Sequence, residues 1–144
     1  MVLAAVLVGC STATTDSADK TSSSAPTTLA APAGPRSQVI EALSLPAGSE
    51  LLMGDPTYEM WVIHQPRSAV IPLLEPQLPT KGTLKALPWC KAETKSDSTR
   101  WLWGSPSDGI SVAVTDDKFG NNVGGSRVAI MTGMDGGSQA TDCS

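Results

Sequence analysis

Apolar and polar residues alternate along several segments of the chain, and a period of two predicts β-strands with one buried face. Residues 110–115 are the clearest case, because Ile110, Val112 and Val114 alternate with small or polar residues. Further strands are predicted at residues 50–53, 58–64, 100–103 and 127–132. The strands from residue 100 onward are separated by turn-rich segments, which predicts an antiparallel meander.

Two other segments have the apolar spacing of short helices. The first, residues 37–44, has Ser37 as a candidate N-cap and ends at the Leu-Pro step that follows. The second begins at residue 68 and should stop or kink near Leu74, because Pro76 cannot continue a helix.

Short helices and antiparallel strands in this order predict a small α+β domain with two layers, one or two helices packed on an antiparallel sheet. The domain is expected to span residues 38–144. Residues 10–37 are mostly Ser, Thr, Ala and Pro. Such a stretch cannot bury enough apolar surface to offset its ordering entropy, so it is expected to be a disordered tether. A low-complexity tail without a spacer role has the same composition.

The first nine residues are all apolar or small, and the run ends at Cys10. Leu7-Val8-Gly9-Cys10 resembles the lipobox of bacterial lipoproteins, where the export signal is cut before a cysteine that carries a diacylglycerol. The resemblance implies that residues 1–9 end a signal peptide whose basic residues lie upstream. It also implies that a lipid on Cys10 holds the protein on the outer face of the cell membrane. The alternative is an ordinary buried thiol at Cys10.

A second, looser resemblance is to the small domains of actinobacterial envelope lipoproteins. It depends on Leu45-Pro46-Ala47-Gly48, on the Trp-rich strands and on the order of helices and strands. It implies an envelope location and no particular activity.

The two remaining cysteines, Cys90 and Cys143, form an even pair. In an exported protein such a pair indicates a disulfide, although two independent thiols are the alternative. Their spacing does not form a CxxC motif, so neither a thioredoxin-like redox site nor a zinc knuckle is expected.

The charge pattern of the chain argues against nucleic acid as a partner. The net charge is −4, with acidic and basic residues interspersed, and nucleic-acid binding needs clustered Lys and Arg. The chain has no phosphate-binding glycine loop of the GxxxxGK[ST] or GxGxxG type, so no cofactor is expected.

Catalytic and metal-binding candidates are few. His64 is the only histidine, which excludes a two-His metal site and suggests a surface or capping residue. No GxSxG motif is present, and Ser105 lies in a sequence typical of a hairpin turn. Asp116-Asp117 and Asn121-Asn122 offer oxygen ligands for calcium, but loop turns use the same residue types. No metal is expected.

Trp101 and Trp103 are two residues apart on a predicted strand and therefore share a face. Core packing near Val112 and Ile130 is expected, because the chain has few other large aromatic residues. The alternative is an exposed aromatic platform that binds a sugar ring, a peptide or a partner protein.

Two functions fit these observations. The first is a non-enzymatic envelope lipoprotein whose domain binds an envelope protein or a glycan. The second is a small envelope hydrolase that uses Asp116, Asp117 or Glu59 as acid–base groups. No catalytic set occupies a recognisable motif, which favours the first.

Overall fold

The computed structural model describes residues 34–105 and 107–133. This part of the chain is mostly sheet, with one short helix and two single 3₁₀ turns. The strands are β1 (Glu50–Asp55), β2 (Tyr58–Ile63), β3 (Thr83–Leu84), β4 (Leu87–Thr94), β5 (Ser98–Gly104), β6 (Gly109–Asp116) and β7 (Ser126–Thr132). The helix is α1 (Arg67–Leu74), and the 3₁₀ turns are Glu75–Gln77 and Gly120–Asn122.

The seven strands form one curled antiparallel sheet in the order β1-β2-β7-β6-β5-β4-β3. After the β1–β2 hairpin, the segment that contains α1 carries the chain to the far edge of the sheet. The chain then returns strand by strand, and β7 pairs with β2. The ends of β2, β6 and β7 are thereby brought together, although β2 and β7 are far apart in sequence.

The core lies on one face of this sheet. In β2 the fully or nearly buried residues are Glu59, Trp61 and Ile63, and their neighbours along the strand are half-buried. Val70 and Leu74 of α1 belong to the same apolar cluster as these strand residues. The N-terminal segment adds four further buried residues, Val39, Ile40, Leu43 and Leu45.

Several predicted elements are present. The alternation predicted for residues 58–64 matches the burial of β2, and the three C-terminal strands form the predicted meander. The helix ends at Leu74, two residues before Pro76, and a single 3₁₀ turn follows. Pro72 lies inside α1 rather than at its start.

The helix predicted at residues 37–44 is wrong. These residues form turns, and the segment closes on itself through a β-bridge between Arg36 and Ser44. Ser37 does accept a hydrogen bond of 2.8 Å from the amide of Ile40, so its capping geometry forms without a helix. The apolar residues of the segment are buried in the core nonetheless.

The start of the folded region can be placed within the predicted tether. The amide of Leu45 donates a hydrogen bond of 2.8 Å to the carbonyl of Pro35. A Cβ on Gly34 would collide with the backbone carbonyl of Leu45, so only glycine fits this approach. Residues 34–37 therefore pack against the domain, and the rest of the predicted tether lies outside the described residues.

Candidate functional site

One end of the sheet collects polar side chains from three strands. Ile63 of β2 and Asp116 of β6 both pair with Ser126 of β7, so the residues that follow β2 and β6 emerge side by side. Those residues are His64 and Asp117. They are about 50 residues apart in the sequence, and the pairing of both β2 and β6 with β7 brings them together.

His64 bridges β1 to the loop between β6 and β7. Its Nε2 lies 3.2 Å from Glu50 Oε1, and its Nδ1 lies 2.8 Å from Asn122 Oδ1. The amide nitrogen of Asn122 donates to the Ile63 carbonyl and to Asp117 Oδ2, which leaves its oxygen as the acceptor. Both ring nitrogens of His64 thus face acceptors, and only the doubly protonated ring satisfies both.

The electrostatics agree with this geometry. The Glu50 carboxylate, followed by the Asn122 side chain, holds the pKa of His64 above its ordinary value. The His64 side chain is 57% exposed, so solvent screens the pair and its contribution to stability is small.

Asp117 holds the loop that follows β6. Its side chain is buried, and its Oδ2 accepts a hydrogen bond of 3.0 Å from Arg127 Nε. Its Oδ1 accepts a hydrogen bond from the amide of Phe119. The Arg127 guanidinium holds the pKa of Asp117 below its usual range. We call His64, Glu50, Asn122, Asp117 and Arg127 the His64 cluster.

Exposed apolar side chains occur on both segments that contact His64. Within the described residues, the large apolar side chains that are exposed are Leu51, Leu52, Met53, Phe119 and Val123. Three lie on β1, and two lie on the loop between β6 and β7. We call these five residues the apolar rim.

The His64 ring links the two parts of the apolar rim. Glu50, which precedes Leu51, and Asn122, which precedes Val123, bind the two nitrogens of the same ring. Phe119 and Val123 are each about three-quarters exposed. Exposed apolar side chains that form one patch are typical of contact surfaces.

The β1 part of the rim lies at an edge of the sheet. β1 pairs only with β2 among the described strands, and its register shifts between Leu51 and Met53. Leu52 is therefore an extra residue in a β-bulge. Bulges at sheet edges redirect side chains and interrupt pairing with other chains, which favours recognition by side chains over extension of the sheet.

Trp101 and Trp103 do not form an exposed platform. They are 1% and 0% exposed and belong to the core cluster with Val112 and Ile130. The ring of Trp103 meets that of Trp89 edge to face, with centroids 5.2 Å apart. Their burial supports the core-packing interpretation.

Cys90 lies half-buried on β4. Cys10 and Cys143 lie outside the described residues, so the lipidation and the disulfide stay predictions.

The candidate acid–base groups are each engaged separately. Glu59 is fully buried and accepts hydrogen bonds from Ser37 and Trp61. Asp116 pairs with Arg67 at 3.1 Å, and Asp117 pairs with Arg127. Among the described residues, no group of three or more His, Cys, Asp or Glu side chains could hold a metal ion. Ser105 accepts a hydrogen bond from the amide of Asp108 in a hairpin turn.

Most of the His64 cluster could not be predicted from the local sequence. The proximity of Glu50, Arg127 and Asn122 to His64 depends on strand order. A usable sign is that His64 ends one predicted strand and Asp117 lies two residues after another, at positions where side chains from neighbouring strands can converge.

The chain matches no known family model, no curated protein and no solved structure. Within the described residues, no helix has the length and apolar character needed to cross a membrane.

Proposed function

We propose that this chain is a lipid-anchored envelope protein whose folded domain binds a partner through the apolar rim. The observation that carries the proposal is the grouping of exposed large apolar side chains on two segments that meet at His64. The acid–base candidates Glu59, Asp116 and Asp117 each form hydrogen bonds or an ion pair with other side chains. These contacts support a structural role for the three groups, in which they hold the fold that presents the apolar rim.

The anchor part of the proposal comes from the sequence. The lipobox-like Leu7-Val8-Gly9-Cys10 precedes a Ser-, Thr-, Ala- and Pro-rich stretch. A diacylglycerol holds a protein at a bilayer far more stably than one acyl chain, because each buried methylene contributes about 0.8 kcal/mol. The proposed location is the outer face of the cell membrane, with the domain held away from the bilayer by the tether.

The fold part of the proposal is a two-layer α+β arrangement, with α1 as the helical layer. It is supported by the burial of Val70 and Leu74 against the sheet. No helix of the described chain covers the β1 edge or the loop between β6 and β7. These are the two segments that carry the apolar rim.

The anchor is tested by expressing the gene with its upstream signal and fractionating the cells. Wild type should sediment with membranes and partition into detergent, whereas Cys10→Ser should be released. Cys90→Ser serves as the matched control and should remain in the membrane fraction. Equal solubility of wild type and Cys10→Ser would contradict the anchor.

The binding surface is tested by photo-crosslinking in intact cells. A photoreactive residue is placed at Leu52 or Val123, and the control position is Lys85, an exposed residue at the opposite edge of the sheet. One species should be captured from both rim positions and not from the control. That species is then purified, and Leu52→Ser should weaken its binding by roughly tenfold, the loss of one buried leucine's transfer energy.

Equal capture from the rim and from Lys85 would contradict the proposed surface. So would unchanged affinity of the purified species for Leu52→Ser. If the partner is a glycan, no protein is crosslinked at the rim positions. Retention of the domain on purified cell-wall material should then still depend on the rim residues.

A further inference from the structure

The second face of the sheet has a chemistry different from that of the core face. In β5, Thr99, Trp101 and Trp103 point into the core, so Ser98, Arg100 and Leu102 point to the opposite side. The register places Arg100 between Glu93 of β4 and Ala113 of β6. It also places Ser98 opposite Thr115.

Small residues leave a depression beside Arg100. Ala113 pairs with Ala129 across β6 and β7, so on the side of Arg100 away from Glu93 the two nearest cross-strand positions carry only methyl groups. The outer-face depression is open to solvent and has a volume of about 80 Å³. Its lining residues are Glu93, Lys95, Ser98, Arg100, Ala113 and Thr115.

The cations of the depression are not neutralised within the described part of the chain. There, neither the Arg100 guanidinium nor the Lys95 ammonium takes part in an ion pair. The single carboxylate, Glu93, is already bound to Lys91 Nζ at 2.8 Å. Lys91, and to a lesser degree Lys95 and Arg100, hold the pKa of Glu93 below its usual range.

Lys91, Lys95 and Arg100 thus lie near the single carboxylate of Glu93. This local excess of positive charge contrasts with the net charge of the chain, which is −4. The Ser98 and Thr115 hydroxyls add donors that make no hydrogen bond to another described side chain. We propose that the outer-face depression binds a phosphate group, with Arg100 as the main contact and with Lys95, Ser98 and Thr115 as further donors.

The physical reason is the geometry of the guanidinium group. Arginine presents paired N–H donors that fit two phosphate oxygens at once, and such charge-assisted bonds are about twice as strong as neutral ones. Glu93 limits the affinity through repulsion of the anion. The phosphate group could belong to a soluble phosphate ester or to a lipid headgroup, since both present the same oxyanion. This inference is independent of the proposed function, because it uses neither the apolar rim nor Cys10.

The test uses the full chain with Cys10→Ser, to remove lipidation, and records amide chemical shifts by NMR. Inorganic phosphate and glycerol 3-phosphate are titrated at constant ionic strength. Saturable shifts are expected at Ser98, Arg100 and Thr115. Arg100→Gln should weaken binding roughly tenfold to hundredfold, the range for one lost hydrogen-bonded ion pair.

Matched variants separate a site from general charge attraction. Arg36→Gln removes the same charge from an exposed position outside the depression and should leave the dissociation constant within twofold. Glu93→Gln should strengthen binding several-fold. If Arg100→Gln does not fold, Lys95→Gln, at an exposed turn position, should weaken binding relative to Lys85→Gln.

A second arm identifies the source of the phosphate. The same variants are sedimented with vesicles of phosphatidylglycerol and phosphatidylcholine, and with phosphatidylcholine alone. Arg100-dependent retention only on the anionic vesicles supports a headgroup, and binding of soluble esters without retention supports a soluble ligand. The proposal is overturned if no saturable shift occurs at these residues, or if Arg36→Gln weakens binding as much as Arg100→Gln.

Discussion

The fully buried carboxylate of Glu59 accepts a hydrogen bond of 2.7 Å from the hydroxyl of Ser37, which lies 22 residues earlier in the chain. The amide of Gln38 donates to the other carboxylate oxygen, and the Trp61 indole donates to the same oxygen as Ser37. No basic side chain of the described residues forms an ion pair with Glu59. Neutral donors therefore hold this carboxylate, and they tie the N-terminal segment to β2.

Replacement of Ser37 by alanine should destabilise the domain by about 1–3 kcal/mol, the usual cost of leaving a buried polar group short of a partner. The loss is measured by urea unfolding. Ser68→Ala is the matched control, because Ser68 is exposed in the first turn of α1 and should change stability by less than about 0.5 kcal/mol. Equal effects of the two substitutions would contradict the role given to the Ser37–Glu59 bond.

The same segment shows why part of the fold could not be predicted. The apolar spacing of residues 37–44 fits a helix, and Ser37 is a good cap. An eight-residue helix is marginal by itself, since nucleation is costly, so tertiary contacts decide its conformation. Here the donors that a helix would use are satisfied by Glu59 and by the chain closure at Ser44. Neither contact is visible in the local sequence.

The β3–β4 hairpin could not be predicted for a related reason. Its two-residue turn is Lys85-Ala86, and both residues have positive φ, 48° and 66°. Such turns favour Asn and Gly, and the sequence of this turn carries neither. By contrast, the position of β6 could be predicted, because its sequence alternation is strict and its flanking turns are rich in Gly and Asp. The solvent-exposed second face predicted for this strand is wrong, because Ser111 and Ala113 on that face are buried as well.

The His64 cluster and the outer-face depression were harder still to predict, because each depends on the order of the strands in the sheet. His64 could be recognised as the only histidine, but its partner Glu50 follows from the β1–β2 hairpin and Asn122 from the β2–β7 pairing. Arg100 was visible only as one strand residue among several. Its position beside Ala113 requires the β5–β6 register.

Trp103 should be among the most costly residues to truncate. Its side chain is fully buried, and its indole nitrogen donates to the carbonyl of Pro79. Trp103→Ala should therefore destabilise the domain by about 3–5 kcal/mol, measured by chemical denaturation. Phe119→Ala, at a site that is three-quarters exposed, should cost less than about 0.5 kcal/mol. A loss below about 1 kcal/mol for Trp103→Ala would contradict core packing.

The exported protein is predicted to contain a Cys90–Cys143 disulfide. Closing a loop of about 50 residues would stabilise it by roughly 3–4 kcal/mol in the chain-entropy model. Peptide mapping without reductant should recover the linked peptides, and Cys143→Ser should lower the midpoint of urea unfolding under oxidising conditions only. Alkylation of both thiols in the mature protein without prior reduction would refute the bond.

The pKa of His64 should fall when Glu50 is replaced. Glu50 is the main cause of the raised pKa of His64, so Glu50→Gln should give a lower value in an NMR titration of the single histidine. Glu41→Gln is the matched control, because Glu41 is exposed and makes no contact with His64. A pKa that is the same in wild type and Glu50→Gln would show that the pair does not form in solution.

The stability that the His64–Glu50 pair contributes should depend on pH in a defined direction. Because the folded protein raises the pKa of His64, the contribution is fully present below the unfolded-state pKa of about 6.5 and is lost as pH rises through the folded-state pKa. The difference in unfolding free energy between wild type and Glu50→Gln should therefore be larger at about pH 6 than at about pH 8.5. Urea unfolding at both pH values measures it, and high salt should reduce the difference at the lower pH, since the pair is exposed. A difference that grows with pH would be incompatible with a charged His64 bound to Glu50.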